Sequence, residues 1–142
     1  MLALVLCAFY RRWGVLGLTL IAVALSDWSA AGIKALVDRE RPPLRYAEPK
    51  TLVRVPHDPS FPSGHAATSF AAATMLSFAF PRFAPALLVL AAAVAFSRVY
   101  VGVHYPLDIL GGAVLGSLMA IAIRALVRVR ARPTRDNTEA GA

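Results

Sequence analysis

The sequence predicts an all-α integral membrane protein, a helical bundle with four complete spans preceded by a partial N-terminal helix. Of its 142 residues, 58% are hydrophobic and only 16% are charged, and the mean hydropathy is +0.60. Soluble domains usually carry about 25% charged residues, so the composition indicates lipid as the surrounding solvent. Each long stretch is apolar around its whole circumference and shows no alternation of apolar and polar residues. This pattern favours helices over a membrane β-barrel.

The predicted spans follow one another with short polar connections between them. Each is close to the ~20 residues that cross a ~30 Å hydrocarbon layer. They run from Trp13 to about Val37, His65 to Phe80, Phe83 to Val103 and Leu107 to Val127. The Met1–Tyr10 segment is too short to span, and we expect it to form a partial helix hairpinned to the next one. Residues 1–129 are thus predicted to form the membrane-embedded domain, and residues 130–142 a disordered cytoplasmic tail.

The formal charge of +7 is divided between two sets of cations, one on each side of the membrane. One set caps helix ends and is placed in the cytoplasm: Arg11, Arg12, Arg82, Arg124, Arg128, Arg130, Arg132 and Arg135. The other set is interleaved with acidic residues and histidines and is placed outside: Lys34, Arg39, Arg41, Arg45, Lys50, Arg54 and Arg98. The C-terminal arginines adjoin a membrane surface and lack aromatic neighbours, so no nucleic-acid partner is expected. A single cysteine, Cys7, excludes an internal disulfide and a cysteine metal cluster.

The first of three polar clusters contains Lys34, Arg41 and Pro42. Proline disfavours helical geometry at the preceding residue, so we expect the helix to end just before Arg41. Two cations then lie where a helix leaves the membrane. They either extend to the interface as ordinary terminal cations or bind an anion.

The second cluster, Pro62-Ser63-Gly64-His65, opens the next helix. Proline is favoured at the first helical position, and the first turn of a helix has free N–H groups and the positive end of the dipole. These features create an anion site with a titratable histidine beside it. A plain helix start with an incidental histidine is the alternative.

The third cluster joins Ser97 and Arg98 to His104 and Asp108. An arginine near the end of a span is a functional candidate by default. The i, i+4 spacing lets Asp108 accept a hydrogen bond from one nitrogen of His104, which leaves the other nitrogen free as a nucleophile or base. A purely structural His–Asp cap is the alternative.

The alternating topology places all three clusters at one membrane surface. Together they bring three cations, a helix N-terminus, two histidines and an aspartate to one leaflet. This combination is suited to a phosphate whose oxygens are neutralised by Lys34, Arg41 and Arg98. A site at the membrane boundary also suits an amphiphilic substrate that enters from the side.

With these motifs in view, the chain resembles the type 2 phosphatidic acid phosphatase family of membrane lipid phosphatases. The family motifs are Lys-x6-Arg-Pro, Pro-Ser-Gly-His and Ser-Arg-x5-His-x3-Asp, and every spacing is matched here over a region from roughly Trp13 to Val127. The resemblance implies that His104 attacks phosphorus, that His65 protonates the leaving oxygen and that Asp108 orients the nucleophile. It also implies phosphate binding by Lys34, Arg41, Ser63, Gly64 and Arg98, with no metal and no cofactor.

The implied function is hydrolysis of the terminal phosphoryl group of a lipid phosphate or diphosphate, such as a polyprenyl diphosphate or a phosphatidate-type lipid. The implied location is the cell membrane, with several spans and an extracytoplasmic active site. Family members usually have about six membrane helices, so the first helix and most of the second have no counterpart here. A lipid phosphotransferase and an inactive truncated protein that binds anionic lipid are the alternatives.

Two further residues carry weaker expectations. His57 lies in the Pro43–Ser60 connection, a candidate lid or headgroup-reading loop. We expect it to be an exposed loop residue, and a third catalytic histidine is the alternative. Asp27 lies seven residues before Lys34, and we expect it to pair with Lys34 across two helical turns or with another helix, since a buried charge needs a partner.

Overall fold

The computed structural model describes residues 2–45 and 51–130, and all regular structure in these two ranges is helical. The expected all-α class is therefore confirmed. The last helix continues to Arg130, and the rest of the predicted tail lies outside the described residues. The helices are α1 (Leu2–Phe9), α2 (Trp13–Val37), the single turn α3 (Pro42–Arg45), α4 (Gly64–Ala79), a 3₁₀ turn (Pro81–Phe83), α5 (Ala84–Tyr100) and α6 (Pro106–Arg130).

Helix α4 lies at the centre of the bundle and packs against α2, α5 and α6. Its 16 residues extend over about 24 Å, less than the ~30 Å hydrocarbon layer. In the described ranges, three helical stretches are long and apolar enough to cross a membrane: Trp13–Arg45, Pro81–Tyr100 and Pro106–Arg130. Three of the four predicted spans are thus supported by length and composition, and the count of four is not confirmed.

The distribution of side-chain size is that of a protein surrounded by lipid. Large apolar side chains point outward, with Trp28 80% and Leu36 86% exposed. The interior is built from small residues such as Ala67, Ala71 and Ala120, all fully buried. Membrane helices associate through close packing of small residues, because lipid tails remove the hydrophobic drive to bury large ones.

Two glycines of α6 set its distance from α4. A Cβ added to Gly112 would collide with the carbonyl oxygen of Ser63, and one added to Gly116 would collide with that of Ala67. The backbones therefore touch along a small-residue surface. This contact brings the start of α4 to the start of α6, where the Ser63 N–H donates to the Asp108 carbonyl at 2.9 Å.

The local helix ends differ slightly from the sequence-based expectations. Helix α2 ends at Val37, four residues before Arg41, because Asp38 adopts a left-handed conformation with φ 45° and ψ 44°. Lys34 and Arg41 consequently do not share one helix face. Helix α4 begins at Gly64 with Ser63 as its N-cap, so Pro62 precedes the cap and does not occupy the first helical position.

At the opposite end of the bundle, arginines contact aromatic rings. Arg12 donates to the carbonyl of Ala79 at 2.8 Å and lies 5.4 Å from the centre of the Phe80 ring. Arg82 lies 5.1 Å from the ring of Tyr10. These contacts hold the end of α1 and the turn that follows it against the end of α4, and α1 packs beside α2 as the expected hairpin requires.

Candidate active site

A cavity of about 710 Å³ opens at one end of the bundle, where α2 and α5 end and α4 and α6 begin. Six of the eight predicted site residues line it: Lys34, Arg41, Gly64, His65, Arg98 and His104. The other two, Ser63 and Asp108, are fully buried behind the cavity wall. The structure thus brings residues from all three sequence clusters to one place.

Asp108 is a buried carboxylate with three donors. Its Oδ2 lies 3.3 Å from Nδ1 of His104 and accepts the backbone N–H of Tyr105 at 2.9 Å. Its Oδ1 accepts a hydrogen bond from Nη1 of Arg39 at 2.8 Å. Because the Tyr105 N–H precedes the first turn of α6, Asp108 also serves as half of a capping box. The structural cap and the His–Asp pair are therefore made by the same side chain.

The hydrogen bonds of His104 define its tautomer. Nη1 of Arg41 lies 3.2 Å from Nε2 of His104, and a guanidinium can only donate. Nε2 is therefore the acceptor, and the ring proton is on Nδ1, where it is donated to Asp108. His104 is only 5% exposed, and on the side of the cation-lined cavity the lone pair of Nε2 accepts the hydrogen bond from Arg41.

Two of the cavity cations are held by one loop carboxylate. Asp58 forms ion pairs with Nζ of Lys34 and, at 3.0 Å, with Nη2 of Arg41. Its backbone carbonyl also accepts Nε of Arg41 at 2.8 Å. Partial burial alone would raise the pKa of Asp58, but the hydrogen bonds and charges of Lys34 and Arg41 outweigh burial and hold the pKa below its ordinary value.

The start of α4 supplies the remaining polar groups. His65 is exposed to the cavity in the first turn, where helix N–H groups have no intrahelical acceptor. The Ser63 hydroxyl is buried and makes no hydrogen bond within the described residues. On the facing wall, Arg98 donates from Nε to Oγ of Ser97 at 3.1 Å. The site therefore combines donors, cations and a second imidazole around one space.

Sequence reasoning missed Arg39 and Asp58. Arg39 occupies one of the six unspecified positions of the Lys-x6-Arg motif, and Asp58 lies in a loop with no periodic pattern. Arg54 also lines the cavity without belonging to a motif. Arg39 contacts Asp108, which is 69 positions away in the sequence. Asp58 contacts Arg41 and Lys34, which are 17 and 24 positions away. Local spacing does not reveal such contacts.

Of the two partners expected for Asp27, Lys34 is engaged elsewhere. Lys34 pairs with Asp58, while Asp27 lines the cavity close to Gly64. Asp27 forms no ion pair with any residue in ranges 2–45 and 51–130. His57 is exposed, as expected, and is not in the cavity wall.

The arrangement favours the chemistry of a phosphoryl group. Charge on three phosphoryl oxygens is matched by fixed cations and a helix N-terminus. A neutral imidazole nitrogen faces the same space and is suited to nucleophilic attack. No three histidine, cysteine or acidic side chains are grouped as metal ligands in the part of the chain that the structure describes.

Comparison with known proteins agrees with this geometry. A family model described as the PAP2 superfamily matches residues 13–132, which is most of the chain. The chain belongs to the PAP2 superfamily. The family expected from the three motifs is confirmed, and the apolar helices identify this PAP2 chain as a multi-pass membrane protein.

Named relatives of this PAP2 chain act on phosphorylated lipids. It is 33% identical over 114 residues to an undecaprenyl-diphosphatase of Sulfolobus acidocaldarius, covering 79% of this chain and 55% of the relative. It is 40% identical over 104 residues to a decaprenylphosphoryl-5-phosphoribose phosphatase of Mycolicibacterium smegmatis, covering 72% and 53%. The chain thus spans about half the length of these relatives.

A solved structure shares the fold. The transmembrane PAP2 type phosphatidylglycerolphosphate phosphatase of Bacillus subtilis superposes with a TM-score of 0.67 at 26% sequence identity. The superposition covers 94% of this chain and 70% of that structure.

Proposed function

We propose that this protein is a membrane lipid phosphate phosphatase that acts through a phosphohistidine on His104. The observation that carries the proposal is the orientation of Nε2 of His104. Asp108 holds the opposite ring nitrogen, and Nε2 faces a cavity that also contains His65 and four cations, Lys34, Arg41, Arg54 and Arg98. A metal is not needed in this scheme, because protein cations neutralise the phosphoryl oxygens.

Substrate binding begins with exchange of partners. The terminal phosphoryl group takes the place of the Asp58 carboxylate on Lys34 and Arg41, and Arg98 and the N–H groups at the start of α4 complete its binding. When the Arg41 guanidinium turns toward a phosphoryl oxygen, it releases the lone pair of Nε2. Arg41 thus both binds the anion and frees the nucleophile.

The first chemical step transfers the phosphoryl group to the protein. The Nε2 lone pair of His104 forms a bond to phosphorus while the bond from phosphorus to the lipid oxygen breaks. The leaving oxygen receives the electron pair and takes a proton from protonated His65. Asp108 stabilises the Nδ1–H of the phosphorylated ring.

The second step returns the protein to its starting state. Neutral His65 removes a proton from water, and the water oxygen bonds to phosphorus. The bond between phosphorus and Nε2 breaks, and its electron pair returns to His104. Inorganic phosphate leaves, His65 is protonated again, and Asp58 recovers its two cations.

The substrate class follows from the site and from the relatives. A cavity at the end of apolar helices suits a phosphorylated lipid, and two relatives are named for undecaprenyl and decaprenyl compounds. We therefore infer a polyprenyl carrier lipid with a terminal phosphoryl group as the preferred substrate.

The proposed membrane arrangement has four spans, with α4 as the central, shorter one. Residues 1–129 form the embedded domain and residues 130–142 a cytoplasmic tail. The cavity end faces away from the cytoplasm, because its cations are engaged with carboxylates whereas cations at the other end, such as Arg12 and Arg82, act as interfacial anchors.

Phosphate release from a panel of lipid phosphates in detergent tests the activity. Wild-type protein is expected to release phosphate without an added acceptor, and His104→Ala is expected to be inactive. The matched control is His57→Ala, which removes an exposed histidine outside the cavity. Equal turnover by wild type and His104→Ala would refute the phosphohistidine, and release only with an added acceptor alcohol would indicate a phosphotransferase.

Cysteine labelling tests the orientation. In a Cys7→Ser background, the His57→Cys variant is expected to react with a membrane-impermeant maleimide in intact cells. The Arg82→Cys variant in the same background is expected to react only after the membrane is opened. The reverse pattern would place the cavity in the cytoplasm.

A further inference from the structure

Arg39 contacts the far side of the His–Asp pair. Its Nη1 donates to Oδ1 of Asp108 at 2.8 Å, and its guanidinium carbon lies 4.1 Å from the centre of the Tyr105 ring. Its backbone carbonyl accepts the N–H of Ser60 at 2.8 Å. The arginine is thus fixed by its main chain, by an aromatic face and by a carboxylate.

The carboxylate that Arg39 contacts is fully buried. Asp108 is 0% exposed, and its two oxygens are divided between different partners. A buried carboxylate is stable only when it is paired and hydrogen-bonded. His104 is neutral in the tautomer described above, so Arg39 is the cation that compensates the Asp108 charge before catalysis.

We propose that Arg39 is a positioning residue for the nucleophile and that it acts through Asp108. The inference rests on the proposed function of His104. Arg39 lies behind Asp108, and the cavity wall is formed by other residues. Its guanidinium fixes Oδ1 and thereby the rotation of the carboxylate, so that Oδ2 remains directed at Nδ1 of His104.

The charge of Arg39 also sets how strongly Asp108 attracts a proton on His104. With Arg39 present, part of the carboxylate charge is compensated, and Asp108 stabilises the protonated form of the His104 imidazole less. Without Arg39, the full carboxylate charge favours protonated His104. The nucleophilic neutral form is then reached only at higher pH.

Other charged groups near His104 are the same in all variants. Asp108 and Arg41 contact the ring directly. Across the cavity the ring is faced by the charged or titratable side chains of Lys34, Asp58, His65, Arg98, Arg54 and Asp27. A shift between variants therefore reports the removal of Arg39.

The experiment compares the pH dependence of kcat/KM for purified wild type, Arg39→Gln and Arg39→Lys on one lipid phosphate. For Arg39→Gln we expect the acidic limb of the kcat/KM profile to move to higher pH by about one pH unit. We also expect kcat to fall about 10- to 100-fold. KM above the acidic limb is expected to remain near the wild-type value. Arg39→Lys keeps the charge and is expected to restore the limb and most of kcat.

Arg12→Gln is the matched control. Arg12 also makes one hydrogen bond and one ring contact, but at the opposite end of the bundle. Its pH profile is expected to match wild type. Melting temperature and elution profile in detergent verify that each variant is folded, and Arg39→Lys supplies the comparison if Arg39→Gln does not fold.

The outcomes separate this inference from the proposed function. An acidic limb that stays at its wild-type pH in Arg39→Gln, with or without a lower kcat, would overturn the inference and leave Arg39 as a structural link between its loop and α6. In the same series, an active His104→Ala would overturn the proposed function itself.

Discussion

The Oδ1 atom of Asp58 accepts a hydrogen bond from Nη2 of Arg41 at 3.0 Å. Through its other oxygen, the same carboxylate pairs with Lys34. An acidic loop residue therefore occupies the cations that the proposed mechanism assigns to the phosphoryl group. Substrate must compete with a carboxylate that belongs to the protein.

This competition predicts tighter anion binding in Asp58→Asn. Removing the carboxylate charge frees the cations, and a pairing of about 1 kcal/mol corresponds to a change of about fivefold. We expect the vanadate concentration that gives half-inhibition to fall by about that factor. Asp38→Asn, at an exposed position after α2, is the control. Unchanged or weaker inhibition in Asp58→Asn would contradict the assigned binding site.

The lowered pKa of Asp58 predicts how stability depends on pH. A carboxyl whose folded pKa lies below its unfolded value of about 3.9 stabilises the fold fully above that value and loses the contribution as pH falls through the folded pKa. The difference in melting temperature between wild type and Asp58→Asn should stay constant from pH 7 to 5 and shrink only below about pH 4. A difference that already shrinks between pH 7 and 5 would mean that the pKa is raised.

The role of His65 as general acid predicts a dependence on the leaving group. His65→Ala should slow hydrolysis of a lipid phosphate about 10²- to 10⁴-fold, the usual contribution of acid–base catalysis. The first step with p-nitrophenyl phosphate should be affected less, since nitrophenolate leaves without a proton. Stopped-flow measurements should then show a burst of nitrophenolate equal to the active protein. Equal losses with both substrates would argue against this role.

The contact between α4 and α6 predicts a large effect of a single methyl group. Gly116→Ala should destabilise the protein by about 1–3 kcal/mol, because the added Cβ meets the Ala67 carbonyl. Melting temperature and phosphatase activity should both fall. Gly17→Ala is the matched control, since no atom lies within 4 Å of an added Cβ, and it should leave stability equal or about 0.4–1 kcal/mol higher.

Much of the fold was predictable because membrane helices are encoded by local composition. The bounds of α2, Trp13 and Val37, agree with the predicted stretch. The span count was harder to predict, because a central helix surrounded by protein is not required to be as long or as apolar as one facing lipid. Helix α4, with 16 residues, is such a case.

The candidate site was predictable where its residues follow fixed spacings at helix ends. His104 and Asp108 lie four residues apart across the start of α6, so their contact follows from local geometry. The Arg39–Asp108 and Lys34–Asp58 contacts depend on how loops fold over the bundle, and no spacing encodes them. The small-residue pair Gly112 and Gly116 was recognisable in principle, since glycines four apart in an apolar stretch are typical of close helix contacts.

The direct backbone contact between α4 and α6 separates two kinds of sequence change. The approach of the start of α4 to the start of α6 is fixed by main-chain atoms next to the glycines, and bulky residues on the outside do not contribute to it. Substitutions at outward positions such as Trp28 or Leu36 can therefore adapt the protein to a thicker or thinner bilayer, or to a different detergent, without altering the reaction geometry. Stabilising the protein for handling and changing its chemistry are, for this chain, separate engineering tasks.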